Sequence, residues 1–167
     1  SLNPESRSLA LARQAEKFFL SVDADVDFMN LRENPLPFCD GDSVYAKQEV
    51  VSAAERVQKA DGILVSVPIY NYDANAAAKN LIELSGKGWE DRVVGFLCAA
   101  GGHSSYMSIM SLANSLMLDF RCIVLPRFVY VTGESFEEKN LTDPEIEKRI
   151  QELTTQLIKV TLALKTI

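Results

Sequence analysis

The sequence predicts an α/β fold, a doubly wound three-layer sandwich with a parallel sheet of about five strands. Strand-like and helix-like segments alternate from one end of the 167 residues to the other. Several strand-like segments are short and almost wholly apolar, which is typical of strands covered by helices on both faces. Neither a repeat nor a linker-like change of composition divides the chain, so residues 1–167 are predicted to form a single domain.

The first part of the chain contributes two predicted helices and two predicted strands. Apolar residues recur at helical spacing over about residues 6–21, which predicts the first helix. A strand is expected at about residues 26–31, and a loop containing proline and glycine separates it from a helix at about 43–59. The apolar run at residues 62–67 predicts a buried strand that ends at Pro68.

The middle of the chain continues this alternation. Small residues favour a helix that packs closely on the sheet at about 75–84, and residues 93–98 form another apolar run typical of a buried strand. The next helix, at about 105–118, is apolar almost all round. Such a helix is expected to be buried on two sides or to lie at a subunit contact.

The last part of the chain predicts one interrupted strand and one long helix. Residues 122–131 are apolar except around Pro126, where the strand is expected to break. Asp143 caps the final helix and Pro144 occupies its first position. A doubly wound fold also needs a central strand before its first helix, so we expect an apolar segment, ending in glycine, upstream of Ser1.

Composition excludes several classes of protein. The net charge of −6 and the isoelectric point near 4.9 argue against general nucleic-acid binding. The sequence shows neither an apolar run of membrane-spanning length nor a signal-peptide pattern, so a cytoplasmic protein without membrane contact is predicted. Cys39, Cys98 and Cys122 are odd in number and far apart, and with the single His103 they predict neither a disulfide framework nor a metal site.

Three predicted loops meet at one edge of the sheet. They are residues 1–8, residues 68–73 and residues 100–106. In an open α/β sheet, ligands bind outside the carboxyl ends of the strands, where the strand order reverses. These loops are therefore the candidate binding site.

The residue types in these loops suit a planar, phosphorylated cofactor. Serine hydroxyls and free amides at a helix start can hold a phosphate, Tyr70 can stack on a ring, and Gly101 and Gly102 allow close backbone approach. Taken singly, the first loop better fits an ordinary helix cap and Tyr70 a turn aromatic, and Gly101 and Gly102 also fit a flexible strand exit. Neither a Walker pattern nor a Gly-x-Gly-x-x-Gly fingerprint is present, which disfavours ATP and dinucleotide fingerprints.

The order of these loops resembles the NADPH-dependent FMN reductases of the flavodoxin-like superfamily. Residues 1–6, Ser-Leu-Asn-Pro-Glu-Ser, are similar to the family's Gly-Ser-x-Arg-x-x-Ser phosphate loop, with Asn3 in place of the arginine. Residues 68–71, Pro-Ile-Tyr-Asn, followed by Lys79 and Asn80, are similar to its Pro-x-Tyr-Asn segment and Leu-Lys-Asn helix. Residues 100–102, Ala-Gly-Gly, are similar to its third loop, and the resemblance extends from Ser1 to about Phe136.

The resemblance implies a flavodoxin-like fold, FMN as cofactor, NADPH or NADH as hydride donor and a small acceptor such as a flavin or a quinone. It also implies a homodimer or homotetramer with the flavin near a subunit boundary. The implied cofactor-binding residues are Ser1, Asn3, Ser6 and Ser8 around the phosphate, Pro68, Ile69, Tyr70, Asn71 and Tyr72 beside the isoalloxazine ring, and Gly101, Gly102 and His103 at its pyrimidine edge. Residues 74–78 lack the glycine and proline common in the family, so the rim beside the flavin is expected to differ.

The residues leave three functional readings open. In the first, the protein is a reductase in which the flavin performs the chemistry, so that no catalytic side chain is predicted. His103 and Tyr106 are candidate proton donors there, with a surface role as the alternative for the histidine. The second reading is a flavodoxin-type electron carrier, which suits the acidic charge balance, and the third is a domain that has lost its flavin.

Overall fold

The computed structural model describes residues 1–165, and residues 166 and 167 of the predicted single domain lie outside the described residues. Residues 1–165 form a mostly parallel five-stranded sheet, a separate hairpin and five α-helices, which confirms the predicted α/β class. The helices are α1 (Arg7–Leu20), α2 (Gln48–Lys59), α3 (Ala76–Ser85), α4 (Met110–Phe120) and α5 (Pro144–Lys165). The strands are β1 (Gly62–Tyr70), β2 (Asp73–Ala74), β3 (Val93–Ala99), β4 (Ile123–Val124), β5 (Val129–Val131), β6 (Phe136–Glu137) and β7 (Asn140–Leu141).

The centre of the sheet is the parallel pair β1 and β3. Their register extends from Gly62 opposite Val93 to Pro68 opposite Ala99. On its other edge β3 pairs in parallel with β4 and then with β5, so the predicted last strand is interrupted around Pro126 as expected. The two-residue β2 runs antiparallel to the end of β1. The carboxyl ends of β1, β3 and β5 therefore lie at the same edge of the sheet.

Helices cover both faces of the sheet and produce two apolar cores. On one face α1 and α5 pack on the strands through buried side chains such as Leu11, Ile150 and Leu153. On the other face α3 and α4 do the same through residues such as Ile82 and Leu116. Every residue of β3 is buried, as expected of a strand covered on both faces.

The strand predicted at residues 26–31 is wrong. Among residues 1–165 this segment pairs with no strand, and it is held by side chains instead. Met29 packs against the core, Asp27 forms an ion pair with Arg56, and the Arg13 guanidinium carbon lies 3.8 Å from the centre of the Phe28 ring. An apolar pattern forms a strand only beside a free sheet edge, because the backbone groups need a ladder partner.

Three other predicted boundaries differ from the structure. β1 continues through Pro68 to Tyr70, because proline removes one amide from a ladder without preventing its neighbours from pairing. The helix predicted at residues 43–59 divides at Lys47, whose ψ of 136° is extended, into a 3₁₀ turn at Ser43–Ala46 and α2. The helix predicted at residues 105–118 begins as a 3₁₀ helix at His103–Ile109 and continues as α4.

The apolar helix α4 is buried on one side only. Leu112 and Leu116 contribute to the core, whereas Met117 is exposed and Leu118 is 86% exposed. The helix is therefore not buried on two sides among residues 1–165, and the alternative, a subunit contact at its outer face, stays a prediction.

Residues 1–165 contain neither a membrane-spanning helix nor a cluster of metal-ligand side chains. No helix there has both the length and the apolar character needed to cross a bilayer. Nor do those residues contain a group of three or more histidine, cysteine, aspartate or glutamate side chains placed to hold a metal ion.

Candidate functional site

A cavity of about 660 Å³ lies at the carboxyl edge of the sheet. Four segments meet around it: the loop before α1, the end of β1, the end of β3 and the turn between β6 and β7. Its volume falls within the range of about 300–1,000 Å³ that is typical of small-molecule and cofactor sites. The residues that line it are Asn3, Glu5, Ser6, Arg7, Ser8, Pro68, Ile69, Tyr70, Ala99, Ala100, Gly101, Glu138 and Lys139.

The first wall of the cavity is the N-terminus of α1. Within the described chain no side chain caps this helix, and the Ser6 carbonyl oxygen accepts the amides of Leu9 and Ala10. The first two amides of the helix, those of Arg7 and Ser8, are therefore available to a ligand, and the helix dipole favours an anion there.

Two serine hydroxyls lie beside these amides. The Oγ atoms of Ser6 and Ser8 are 2.7 Å apart, and Ser8 is only 2% exposed. Ser66 of β1 donates its hydroxyl to the Ser8 carbonyl oxygen at 2.7 Å, which ties the start of α1 to the sheet. Ser6 and Ser8 both line the cavity.

The second wall is the end of β1. Pro68, Ile69 and Tyr70 line the cavity, and the chain then reverses into β2 through Asn71 and Tyr72. Both turn residues have positive φ values, 51° and 63°, as a two-residue hairpin turn of the primed type requires. The turn carries Asn71 and Tyr72 away from the cavity wall.

The third wall is the end of β3. The Ala100 amide donates to the Val131 carbonyl oxygen at 2.8 Å, which extends the pairing of β3 with β5 to the cavity. A Cβ added to Gly101 would stand in open space, more than 4 Å from the described residues other than its chain neighbours. A flat ligand can therefore approach the backbone here without meeting a side chain.

Beyond Gly101 the chain leaves the cavity. The Tyr130 hydroxyl donates to the Gly102 carbonyl oxygen, and the Tyr130 oxygen lies 2.6 Å from the Ser105 hydroxyl. The exposed His103 places its Nε2 atom 3.3 Å from a Glu134 carboxylate oxygen. These contacts fix the backbone of the third loop from its outer side.

The structure separates the predicted cofactor residues into two groups. Lining the cavity are Asn3, Ser6, Ser8, Pro68, Ile69, Tyr70 and Gly101. Outside its wall are Ser1, Asn71, Tyr72, Gly102 and His103. Ser1 serves the local turn, since its hydroxyl oxygen accepts the Asn3 amide at 3.2 Å.

The fourth wall was not predicted from the sequence. The β6–β7 hairpin brings Glu138 and Lys139 to the cavity, where the Lys139 ammonium forms an ion pair with Glu5. These partners are 134 residues apart in the chain. Only the polar turn at residues 137–140 could have suggested a hairpin, and nothing local indicates where its tip lies.

The model of one protein family, described as NADPH-dependent FMN reductase, matches residues 1–137. The chain belongs to the NADPH-dependent FMN reductase family. It is an oxidoreductase that uses FMN together with a nicotinamide donor. The sequence resemblance carried by the three loops is thereby confirmed.

Two curated relatives and one solved structure illustrate the similarity. An NAD(P)H-dependent FAD/FMN reductase of Geobacillus thermodenitrificans (strain NG80-2) is 30% identical over 147 residues, which are 86% of this chain and 79% of the relative. A probable NADPH:quinone oxidoreductase 1 of Oryza sativa subsp. japonica is 28% identical over 155 residues, 87% of this chain and 77% of the relative. The solved flavoenzyme NAD(P)H:(acceptor) oxidoreductase FerB of Paracoccus denitrificans has a TM-score of 0.79 at 18% identity, over 98% of this chain and 93% of that chain.

Proposed function

We propose that the cavity binds FMN with its phosphate at the N-terminus of α1 and its ring system between the ends of β1 and β3. We propose further that the protein passes electrons from NADPH or NADH to a small acceptor, a quinone or a free flavin. The observation that carries the proposal is that one cavity joins the loop before α1 to the two strand ends. Each loop alone fits an ordinary structural role, but their convergence on one space suits a ligand with a phosphate and a planar ring.

The chemistry of the walls fits FMN. The free amides of α1 and the hydroxyl of Ser6 offer donors to phosphate oxygens. The open space above Gly101 leaves room for a flat ring, and Tyr70 offers an aromatic side chain on the opposite wall. The site thus has a polar, anion-accepting end and a flatter end that is mainly backbone and apolar.

In this proposal the protein's own residues bind the cofactor and orient it. FMN, when bound, would supply hydride and electron transfer between the nicotinamide and the acceptor. Ser6 and the first amides of α1 would hold its phosphate, and the backbone at Ala100 and Gly101, which lines the cavity, would leave room for its ring. His103 is outside the cavity wall and paired with Glu134, which favours its surface role over that of a proton donor.

The names of the relatives support the choice of acceptor. One is called an FAD/FMN reductase and the other a quinone oxidoreductase, so both acceptor classes are represented among proteins similar to this chain. The Tyr70 side chain, which lines the cavity and is 54% exposed, leaves aromatic surface on which a planar acceptor can stack.

We also propose that the 167 residues form one domain and that the protein is a cytoplasmic homodimer or homotetramer. Met107, Met117 and Leu118 are exposed apolar side chains on α4 and the 3₁₀ helix before it, and a second copy that packed there would cover them. Cys98 is a free thiol whose pKa is raised to about 12 by burial, and the other two cysteines are also unpaired, which suits a reducing compartment.

The decisive experiment begins with the visible spectrum of the purified protein with and without added FMN. We expect a bound-flavin spectrum and quenching of FMN fluorescence. Steady oxidation of NADPH or NADH in the presence of a quinone or free flavin would then support the reductase. Flavin binding without turnover would point to the electron carrier, and a protein that neither binds nor quenches FMN would contradict both.

A further inference from the structure

We propose that the Lys139 ammonium binds the phosphate of a phosphorylated flavin in the cavity. Before the flavin binds, this ammonium is paired with the Glu5 carboxylate, which the phosphate then displaces. This inference rests on the proposed FMN site and assigns a residue to it. Its consequence is discrimination between FMN and riboflavin, which differ by the phosphate alone. Lys139 would increase the preference for FMN over riboflavin, and Glu5 would decrease it.

The charges around the cavity leave the phosphate short of a partner. The charged residues that line it are Arg7 and Lys139, which are cationic, and Glu5 and Glu138, which are anionic. These formal charges cancel, in a chain whose net charge is −6. A phosphate monoester carries about 1.5 to 2 negative charges near neutral pH. A cation that can leave its carboxylate partner would therefore improve the electrostatics of the site.

The Arg7 side chain already contacts residues at the base of the β6–β7 hairpin. Its guanidinium carbon lies 5.6 Å from the centre of the Phe136 ring. A Cβ added to Gly133 would come within 2.8 Å of the Arg7 Nη1 atom, so the guanidinium is packed directly against the Gly133 backbone. Moving Arg7 toward a ligand would give up both contacts.

Lys139 has no comparable commitment within the described chain. Its side chain is 57% exposed, and its ion-pair partner Glu5 is 62% exposed. Exposed ion pairs contribute little net stability, because water and salt screen the attraction and ordering two long side chains costs entropy. A phosphate with a greater charge can therefore take the ammonium from Glu5 at small cost.

The test is a set of fluorescence titrations of flavin-free protein with FMN and with riboflavin. For K139Q we expect FMN affinity to fall about threefold to tenfold and riboflavin affinity to stay unchanged, since only FMN engages the ammonium. For E5Q we expect FMN affinity to rise about twofold to fivefold, since the competing carboxylate is gone. Raising the salt concentration should reduce the difference between wild type and K139Q.

The matched controls are K165Q and D61N. Lys165 and Asp61 form another exposed ion pair between elements, with side chains 53% and 55% exposed. Asp61 directly precedes β1, so this pair lies at the opposite end of the sheet from the cavity. Both controls remove the same charges as K139Q and E5Q, and we expect each to leave both affinities unchanged.

Three results would overturn the inference. Equal loss of FMN and riboflavin affinity in K139Q would mean that the hairpin acts only as a structural wall. If wild-type protein binds FMN and K139Q binds it with the same affinity, Lys139 has no role in phosphate binding, and the proposed function still stands. Wild-type protein that binds neither flavin would remove both proposals together.

Discussion

The ends of β1 and β3, together with the residues that follow each strand, divide into an inner half that lines the cavity and an outer half that contacts other parts of the fold. The inner halves, residues 68–70 and 99–101, continue the strands directly into the cavity wall. The outer halves, residues 71–73 and 102–104, contact one another and the neighbouring elements. The Tyr72 hydroxyl lies 3.1 Å from the Ser104 hydroxyl, and the Gly102 carbonyl oxygen accepts from Tyr130.

Residues that follow a cavity-lining residue in the sequence therefore do not necessarily line the cavity themselves. Parallel strands deliver their last residues to a common edge, and the next turn decides whether the chain stays there. Asn71 and Tyr72 adopt left-handed conformations that reverse the chain at once. The outer halves therefore act on the site through the backbone that they hold in place.

The largest expected effect comes from adding one methyl group to the inner half of the third loop. G101A should weaken FMN binding by about tenfold or more, because the new Cβ enters space that the ring would occupy. The protein itself should remain folded, since the described residues leave that space open. Fluorescence titration measures the affinity, and the thermal midpoint of the flavin-free protein checks the fold.

The companion variant is G102A. Gly102 also has open space around an added Cβ, but it lies outside the cavity wall. We expect a much smaller loss of FMN affinity than for G101A. Equal losses in the two variants would contradict the division of this loop into inner and outer halves.

The second-largest effect is expected from removing the Ser6 and Ser8 hydroxyls in the first wall of the cavity. The double variant S6A/S8A should weaken FMN binding by about fivefold, because it removes hydroxyls next to the open amides of α1. Riboflavin, which lacks the phosphate, should bind the double variant as it binds wild type. S52A, an exposed serine on α2, is the matched control. Unchanged FMN retention in S6A/S8A would refute the assigned phosphate site.

A third and smaller effect separates the two tyrosines of the second loop. Y70A removes an aromatic side chain from the cavity wall and should weaken FMN binding about threefold. Y72F removes the hydroxyl that faces Ser104 and should change FMN affinity by less than about twofold, since one exposed hydrogen bond contributes little. The same titrations measure both, and a larger effect for Y72F would show that the outer half touches the ligand.

The smallest effect on binding is expected at the far end of the hairpin, where Asp143 caps α5. The Asp143 carboxylate accepts the Ser135 hydroxyl at 2.9 Å and the Glu145 amide at 3.0 Å, and these bonds, the hydroxyl above all, hold its pKa below the ordinary value. Stability from such a lowered pKa is present above the unfolded-state value of about 3.9 and is lost as pH falls through the folded-state value.

D143N should therefore lower the thermal midpoint near neutral pH, and the difference from wild type should shrink below about pH 4. FMN affinity at neutral pH should be nearly unchanged, because Asp143 lies outside the cavity wall. A thermal midpoint deficit that is constant across pH would show that charge plays no part in this cap.

For some elements, the residues of the segment itself were sufficient to predict its structure. The buried strand β3 and the capped start of α5 follow from short runs of residues whose chemistry permits few alternatives. The segment at residues 26–31 is less apolar, with Asp27 and Asn30 within it, and forms no ladder among the described residues, because a strand also needs a partner. The predicted end of β1 at Pro68 comes too early in the sequence, because Pro68 itself pairs with β3 and the strand continues beyond it.

The sequence by itself determined the class of fold, the family and the set of loops that meet at the sheet edge, because alternation of apolar segments and local motifs is written in neighbouring residues. Only the tertiary structure decided which half of each loop faces the cavity, since that depends on the turn geometry at Asn71 and on the contact of Tyr130 with Gly102. It alone also brought Lys139 to Glu5. Contacts between residues far apart in the chain arise from packing of the whole fold, and no local pattern encodes them.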